Sequence, residues 1–355
     1  MAYSLRSVDA RSRRRARRRF LYRLRQRAIE LAVLCLLVAA VAVPIRLLTK
    51  NRTPNEPAVV SPSTTTSANL PQNKPIPYPE RDADTLSFGS EVDARHAILW
   101  DITANRVVAA KEENTRVYPA SVTKIMTLLV AVENITDFTD TFTMTYEILY
   151  PLYRNEATIA GFLEGERVVV EDLLYGTILP SGADASHGLA EYVAGSEEAF
   201  VRLMNDKAAS LGLKDTHFVN TSGLHDKNHY TTAADMAVIL REAMENAHCR
   251  QVLSTYQYTT APTAEHHEGM LLTSTLFSRM YGDEPDGAVI AAGKTGFTDQ
   301  ALHTLATYAE AEGRRGHAYV LVTMQNSTRW TAVHDAFNIY SRFCGSEEET
   351  TSSDG

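Results

Sequence analysis

The central part of the chain has the pattern of several helices, and short apolar segments lie on either side of it. Five segments have the pattern of β-strands: 94–101, 106–110, 288–292, 301–309 and 317–324. The first two are separated by a short polar stretch, which predicts a hairpin. Two shorter strand candidates, 141–144 and 165–170, lie between the two groups.

Helical spacing dominates the region between the two groups of strands. The pattern predicts helices over 120–134, 171–179, 184–194, 196–211 and 232–246, and a last helix over 330–343. Ser196 and Thr232 are residue types that favour the N-cap position. Strands at both ends with helices between them predict the α/β class, as an α+β sandwich. One antiparallel sheet is built from both ends of the folded part and flanked by helices.

The N-terminus combines a basic segment with an apolar run. Residues 1–27 contain eleven Arg and one acidic residue, and residues 28–48 are almost entirely apolar. The positive-inside rule places 1–27 in the cytoplasm and predicts a transmembrane signal anchor over 28–48. The catalytic domain is then extracellular and the chain is a single-pass protein of the cell membrane. A signal peptide cleaved after Ala40-Val41-Ala42 is the alternative.

Composition divides the rest of the chain into a linker, a domain and a tail. Residues 49–86 are rich in Pro, Ser and Thr and predict a linker, while 346–355 form an acidic tail. The folded domain is therefore predicted over 87–345. The whole chain carries a net charge of −8 and residues 1–27 carry +10, so the remainder carries −18. This acidity argues against nucleic acid as a partner.

Cysteine and histidine positions leave two further possibilities. Cys249 and Cys344 face an oxidising exterior in this topology, so they either form a disulfide or are small buried residues. His225 and His229 have a spacing that binds zinc on a helix, but the residues around them predict a loop. We therefore expect no metal site.

Ser121 and Lys124 form an S-x-x-K motif at the start of a long apolar helix. Residues three apart share a helix face, so the hydroxyl and the amine come within reach of each other. A desolvated lysine has a lowered pKa and is then able to deprotonate a serine. The alternative is an N-cap serine beside a solvated lysine.

Two more short motifs follow in the chain. Ser181-Gly182-Ala183 lies in a turn between two predicted helices, and Gly293-Lys294-Thr295-Gly296 follows the strand 288–292. The ordinary interpretations are an N-cap for the first motif and a polar turn for the second. Two glycines beside a lysine on a strand edge also suit a carboxylate-ended peptide lying alongside.

The order of the three motifs is specific. S-x-x-K, a second serine motif and K-T-G together are the signature of penicillin-binding proteins and class A β-lactamases. Segments such as YPASVTKIMTLLVAVE (118–133) and SGLHDKNHYTTAADMA (222–237) extend the match. Over about residues 90–340 the chain resembles the serine-type D-Ala-D-Ala carboxypeptidases, the low-molecular-mass penicillin-binding proteins. The resemblance implies a β-lactamase/transpeptidase-like fold.

The resemblance also implies catalytic roles. Ser121 would be the nucleophile that forms an acyl-enzyme, and Lys124 the base that activates it. Ser181 would relay a proton to the leaving D-alanine. The implied partners are a peptidoglycan stem peptide ending in D-Ala-D-Ala and β-lactam inhibitors, and the implied chemistry needs no cofactor.

The third motif would bind the substrate. Lys294 and Thr295 would hold the terminal carboxylate, with Thr295 supporting the Ser181 hydroxyl. Gly296 would leave room for the substrate strand, and the backbone N–H groups of Ser121 and Phe297 would form the oxyanion hole.

One departure from the family pattern bears on activity. Ala183 stands where the second motif normally has Asn, which removes an amide that would contact substrate or lysine. Two alternatives therefore stay open beside the carboxypeptidase. One is a catalytically weakened penicillin-binding or peptidoglycan-binding protein, and the other is a β-lactamase-like hydrolase.

Overall fold

The computed structural model describes residues 77–312 and 316–344. The predicted basic segment 1–27, the predicted anchor 28–48 and the acidic tail 346–355 lie outside the described residues. None of the helices within the described ranges is both long enough and apolar enough to span a bilayer.

Ten strands occur in the described part of the chain: β1 Leu86–Ser87, β2 His96–Asp101, β3 Arg106–Lys111, β4 Thr141–Thr143, β5 Arg167–Val169, β6 Gln257–Thr259, β7 Leu271–Thr273, β8 Ala288–Thr298, β9 Leu302–Ala311 and β10 Ala318–Asn326. Six of them form one sheet in the order β1-β3-β2-β10-β9-β8. All neighbours in this sheet are antiparallel except β1 and β3. The prediction of one sheet built from both ends of the domain is confirmed.

The described helices are α1 Lys124–Asn134, α2 Tyr146–Arg154, α3 Val170–Ile178, α4 Ala183–Ala194, α5 Glu197–Ser210, α6 Ala233–Glu245, α7 Ala247–Leu253, α8 Phe277–Met280 and α9 Arg329–Phe343. A 3₁₀ turn, Ala120–Thr123, leads directly into α1. The Ser196 and Thr232 side chains accept hydrogen bonds from backbone N–H groups and cap α5 and α6, as predicted.

The sheet separates two hydrophobic clusters. Along β2, Ile98 and Trp100 belong to the cluster under α1 and α6, whereas Ala97 and Leu99 belong to the cluster under α9. Because neighbouring side chains on a strand point to opposite faces, a sheet covered on both faces buries every position of such a strand. The predicted α/β sandwich is therefore observed.

Three of the described helices, α2, α7 and α8, were not predicted, and one strand is longer than expected. Helix α8 has only four residues. Helix α2 contains Pro151, a residue that ordinarily signals a helix break. Helix α7 has only seven residues, too few to show a clear period. Strand β8 continues from the predicted 288–292 through the K-T-G motif to Thr298, so that motif lies within a strand and not in a turn.

Residues 77–86 belong to the folded domain, although the sequence places them in the linker. The Tyr78 hydroxyl donates a hydrogen bond to Asp235 at 2.8 Å, and Arg81 binds Glu113 with two hydrogen bonds of 2.7 Å. Strand β1 then pairs with β3. The folded domain therefore begins before residue 87 and includes residues 77–86 of the predicted linker.

The two cysteines of the domain do not form a disulfide with each other. Cys249 is buried in the cluster under α1 and α6, and Cys344 is buried in the cluster on the opposite face of the sheet. Of the two sequence alternatives, the structure shows small buried residues.

Candidate active site

Ser121 and Lys124 are in direct contact at the start of α1. A 3₁₀ turn has three residues per turn, so side chains three apart lie one above the other. The turn Ala120–Thr123 therefore places the Lys124 Nζ 3.2 Å from the Ser121 Oγ. The Lys124 Nζ also donates a 2.6 Å hydrogen bond to the carbonyl of Ser222.

Lys124 has the properties of a base. Its side chain is 2% exposed, and burial lowers its pKa to about 7, although the Asp184 carboxylate opposes this shift. An amine with this pKa is partly neutral at physiological pH and can accept a proton from the adjacent hydroxyl.

The backbone before Ser121 is held in an unusual conformation by two contacts. Ala120 has a φ of 51°, in the left-handed region. The Thr304 hydroxyl on β9 donates a 3.1 Å hydrogen bond to the carbonyl of Pro119. Gly223, with a φ of 82°, packs so closely on the Ala120 carbonyl that a Cβ there would collide with it. These contacts fix the direction of the 3₁₀ turn.

His229 supports the same turn through a hydrogen bond to Thr123. Its Nδ1 accepts the backbone N–H of Val219 at 3.3 Å, so its Nε2 carries the proton and donates to the Thr123 hydroxyl at 2.8 Å. Burial lowers the pKa of His229 to about 4, which keeps the ring neutral. Within the described ranges, no group of three or more metal-ligating side chains is placed to hold a metal ion.

Ser181 lies in a strained turn after α3. Its φ is 70°, and its buried Oγ has no hydrogen-bond partner in the described part of the chain. A Cβ on Gly182 would approach the backbone N of Ala160 to 2.7 Å, so only glycine fits there. The turn therefore presents a hydroxyl that a ligand can bind.

Asp184 anchors this turn to the segment that follows α2. Its carboxylate accepts backbone hydrogen bonds from Ala160 at 2.7 Å, from Gly161 at 2.9 Å and from Phe162 at 3.2 Å. Ala183 is buried beside it, and its N–H donates to the Thr158 carbonyl at 2.8 Å. The position that normally carries an amide therefore presents a methyl group.

Strand β8 places the third motif at the end of the sheet. No described strand pairs with its outer edge, because β8 is the last strand in the sheet order. Lys294 is 1% exposed and donates to the carbonyl of Thr295 at 2.9 Å. Burial and the cations Lys124 and Arg279 lower its pKa well below the usual value.

Two residues of this motif have contacts that differ from those expected. The Thr295 hydroxyl bonds with the Thr275 hydroxyl at 2.8 Å, and not with Ser181. A Cβ on Gly296 would lie 2.8 Å from the backbone N of Ser121 and would collide with the Thr304 hydroxyl. The close approach of the Ser121 backbone therefore requires glycine here, and the role of Gly296 in leaving room for the substrate strand stays a prediction.

Some of the predicted site residues are in contact with one another, and others are not. Ser121, Lys124 and Gly296 are neighbours, and Lys294 is close enough to Lys124 for their charges to repel. Phe297 follows directly on β8 and is half exposed. Ser181 makes no hydrogen bond to any of them in the described structure.

Four contributors were missed by the sequence analysis: the Ser222 carbonyl, the Asp184 carboxylate, the Thr304 hydroxyl and the His229 ring. A partial signal was present for the first two. Gly223 follows Ser222 in a motif-like segment, and Asp184 directly follows the second serine motif.

Comparison with known proteins decides the family. A sequence profile of the D-alanyl-D-alanine carboxypeptidase family, peptidase S11, matches residues 82–328, more than half of the 355 residues. The chain belongs to this family. The S11 assignment confirms the resemblance found from the three motifs.

Two curated relatives of this S11 chain cover different shares of it. The D-alanyl-D-alanine carboxypeptidase DacF of Bacillus subtilis is 34% identical over 232 residues, 64% of this chain and 57% of DacF. DacB2 of Mycobacterium tuberculosis is 29% identical over 273 residues, 72% of this chain and 87% of DacB2. The chain thus spans little more than half the length of DacF.

The fold agrees with that of a solved DD-transpeptidase. The Streptomyces K15 DD-transpeptidase superposes with a TM-score of 0.62 and 27% identity, covering 71% of this chain and 97% of that protein. The β-lactamase/transpeptidase-like fold is therefore confirmed for this S11 chain.

Proposed function

We propose that the chain is a serine-type D-Ala-D-Ala carboxypeptidase that removes the terminal D-alanine of peptidoglycan stem peptides. The observation that carries this proposal is the contact of the Ser121 hydroxyl with a buried lysine whose pKa is about 7. Membership of the carboxypeptidase family supports the substrate class.

Acylation begins with proton transfer from the Ser121 Oγ to the Lys124 Nζ. The Oγ then attacks the carbonyl carbon of the bond between the two D-alanines, and the backbone N–H groups of Ser121 and Phe297 stabilise the oxyanion. Each such donor contributes about 3 kcal/mol to the transition state in serine hydrolases. Ser181 relays the proton from the Lys124 Nζ to the amine nitrogen as the C–N bond breaks, which leaves Ser181 protonated and Lys124 neutral, and water later hydrolyses the ester.

The substrate carboxylate places a negative charge beside the Lys294 amine. Lys294 is buried, and the neighbouring charges that shift its pKa are both cationic. A carboxylate that binds here offsets the cost of burying the ammonium group. We therefore assign Lys294 and Thr295 to recognition of the terminal D-alanine carboxylate.

The remaining parts of the proposal concern inhibitors and location. A β-lactam carries a reactive amide and a carboxylate, so it acylates Ser121 by the same steps. The catalytic domain acts outside the cell, held by an N-terminal anchor over 28–48, with 1–27 in the cytoplasm. The chemistry uses the side chains named above and needs no metal or cofactor.

Fluorescent penicillin tests the nucleophile directly. The full chain should be labelled covalently, Ser121→Ala should lose all labelling, and Ser210→Ala, at the exposed end of α5, should retain it. Equal labelling of Ser121→Ala and the wild type would overturn the assignment.

A second measurement separates the carboxypeptidase from its alternatives. Incubation with a synthetic pentapeptide ending in D-Ala-D-Ala should release free D-alanine. Penicillin labelling without this release would favour a catalytically weakened binding protein instead, and rapid loss of the penicillin adduct would favour a β-lactamase-like hydrolase.

A further inference from the structure

The peptide formed by residues 221 and 222 contacts both Lys124 and a glutamate on α5. The Ser222 carbonyl accepts the 2.6 Å hydrogen bond from the Lys124 Nζ. Thr221 donates its backbone N–H at 2.9 Å and its hydroxyl at 2.8 Å to one oxygen of Glu197, Oε1. Because Glu197 is the first residue of α5, this peptide joins α5 to the buried lysine of α1.

Side chains hold the 221–222 peptide in place. Residues 218–229 form neither a helix nor a strand, so no ladder of backbone hydrogen bonds fixes the direction of the Ser222 carbonyl. Thr127, one turn after Lys124, donates its hydroxyl to the Thr221 carbonyl at 2.7 Å. Both carbonyls of the peptide therefore bind α1, whereas the two donors of Thr221 bind a different element, α5.

The Glu197 carboxylate is itself held by a third donor. The Nε2 of His187, on α4, lies 2.7 Å from the same Oε1 atom, and the two side chains are 17% and 29% exposed for His187 and Glu197. Burial acts to raise the pKa of the Glu197 carboxyl, but the hydrogen bond and charge of His187 and the hydrogen bonds of Thr221 outweigh it, so this pKa lies below its usual value. Glu197 is therefore ionised at neutral pH and accepts all three hydrogen bonds.

The contact with Thr221 distinguishes Glu197 from an ordinary acidic residue of a first helical turn. Such residues stabilise a helix through its dipole alone. Glu198 is the next residue of the same turn, but its side chain is exposed. Among the described hydrogen bonds, those to the 221–222 peptide from α5 come from Glu197 and none from Glu198.

The Ser222 carbonyl acts on Lys124 in two ways. A neutral amine has two N–H groups and one lone pair, so donating one N–H to a fixed carbonyl restricts its rotation and directs the lone pair towards the Ser121 Oγ, 3.2 Å away. After proton transfer, the same carbonyl accepts a charge-assisted hydrogen bond from the ammonium group and stabilises it. Displacing the carbonyl therefore impairs both the orientation and the basicity of Lys124.

We propose that Glu197 is a positioning residue for acylation: it holds the 221–222 peptide so that the Ser222 carbonyl meets the Lys124 Nζ, and His187 fixes the carboxylate that does so. The inference rests on the function proposed above, because it concerns the base of the Ser121 acylation. Glu197 acts through the peptide, since its described hydrogen bonds go to Thr221 and His187 and not to Lys124.

Three variants of the full chain test this role through the rate of penicillin acylation. Glu197→Ala removes the acceptor and should slow acylation by about 10- to 100-fold, the effect of a catalytic group misplaced by about 1 Å. Glu197→Gln keeps an oxygen for the Thr221 donors and an amide that can donate to His187, so its rate should stay within about threefold of the wild type. Glu198→Ala is the matched control and should acylate at the wild-type rate.

The pH profile separates positioning from a general loss of folding. Rates are measured between pH 5 and pH 8.5 on protein whose folding is checked by circular dichroism. In Glu197→Ala the decline on the acid side should begin at a lower pH, because the Lys124 ammonium loses an acceptor and its pKa falls. The charged groups that interact with Lys124, namely Asp184, His229 and Lys294, are unchanged in every variant. A variant that is merely destabilised loses active protein but keeps the wild-type profile.

Two results would refute the proposal. One is a wild-type rate and profile in Glu197→Ala. The other is an equal loss in Glu197→Ala and Glu197→Gln, which would show that the charge matters and the hydrogen bonds do not.

Thr221→Val is a milder variant that decides the matter if Glu197→Ala does not fold. It removes the hydroxyl donor, keeps the shape of the side chain and should slow acylation by about threefold. The wild-type rate in Thr221→Val would then overturn the positioning role.

Penicillin labelling of the wild type distinguishes this inference from the function beneath it. If the wild type is labelled and Glu197→Ala behaves like it, only the positioning role is overturned. If penicillin does not label the wild type at all, the carboxypeptidase and the positioning role are overturned together.

Discussion

The surroundings of Lys124 and Lys294 differ in charge, although both lysines are almost fully buried. Burial lowers the pKa of each amine. Near Lys124 the Asp184 carboxylate opposes this effect, and its pKa stays at about 7. Near Lys294 the neighbouring charges are Lys124 and Arg279, which lower its pKa further.

This difference separates a base from an anion-binding group. Each amine donates to a backbone carbonyl, but of the two only Lys124 also contacts a hydroxyl, that of Ser121, with which it can exchange a proton without any ligand. Lys294 lies among cations, so its charged form becomes favourable only when an anion arrives. Burial alone therefore does not determine what a lysine does; the neighbouring charges do.

The largest expected effect comes from exchanging each lysine for arginine. Arginine stays protonated, so Lys124→Arg removes the base and should slow penicillin acylation by about 10³–10⁴-fold. Lys294→Arg keeps the positive charge and should slow acylation less. Stopped-flow acylation rates compare the two variants. If both lose activity equally, the proposed division of roles is incorrect.

Acid stability probes the histidine that supports the Lys124 turn. The pKa of His229 is about 4 in the folded chain and about 6.5 when unfolded, so the unfolded state binds the proton more readily. Stability contributed by the neutral ring is complete above pH 6.5 and is lost as the pH falls towards 4. The loss is about 3 kcal/mol. Urea unfolding between pH 7.5 and pH 4 measures it.

His229→Gln is the matched variant for this measurement. Glutamine retains a donor for Thr123 and an acceptor for the Val219 N–H but does not titrate. Its stability should therefore fall less steeply over the same pH range. An identical pH dependence in wild type and variant would show that other groups cause the acid unfolding.

Gly223→Ala tests the packing that holds the Ser222 carbonyl against Lys124. The Cβ of an alanine at position 223 would collide with the Ala120 backbone, and the alanine would also have to adopt a left-handed φ. Gly212 has a φ of 74° but no atom within 4 Å of its Cβ position, so Gly212→Ala has only the backbone cost. We expect Gly223→Ala to lose about 2 kcal/mol more than Gly212→Ala. Equal losses in thermal unfolding would show that the close packing contributes little.

The sequence predicts which residues form the site better than it predicts the charges and dipoles that surround them. Ser121 and Lys124 are recognised from a spacing of three, because local helical geometry brings such residues together. The Ser222 carbonyl is a backbone group 98 residues from Lys124, so no side-chain pattern marks it. The effect of Asp184 on Lys124 likewise depends on how α4 packs near α1, which a local pattern does not encode.

The prediction of helices was also limited to those that local sequence patterns determine. Long apolar segments such as 120–134 are predicted correctly because their own periodicity decides the structure. Helix α2 is missed because Pro151 opposes a helix locally, whereas the burial of Ile148, Leu149 and Leu152 against the core favours one. Tertiary packing overrides a local preference there.

The smallest effect is expected from Asp184→Asn, which makes the charge surroundings of Lys124 more like those of Lys294. The carboxylate favours the protonated amine, so its removal lowers the pKa of Lys124 further. Acylation requires the neutral amine and falls as the pH drops below about 7 in the wild type. In the variant this decline should begin at a lower pH.

The pH profile of penicillin acylation between pH 5 and pH 8.5 measures the shift. Asparagine keeps one acceptor for the backbone N–H groups of Ala160 and Gly161, so the turn at Ser181 has a reduced but not an absent anchor. Asp172→Asn changes another buried carboxylate that does not act on Lys124 and should leave the profile in place. A decline that moves to higher pH in Asp184→Asn would show that Asp184 does not hold the proton on Lys124, and the contrast between the two lysines would then need another cause.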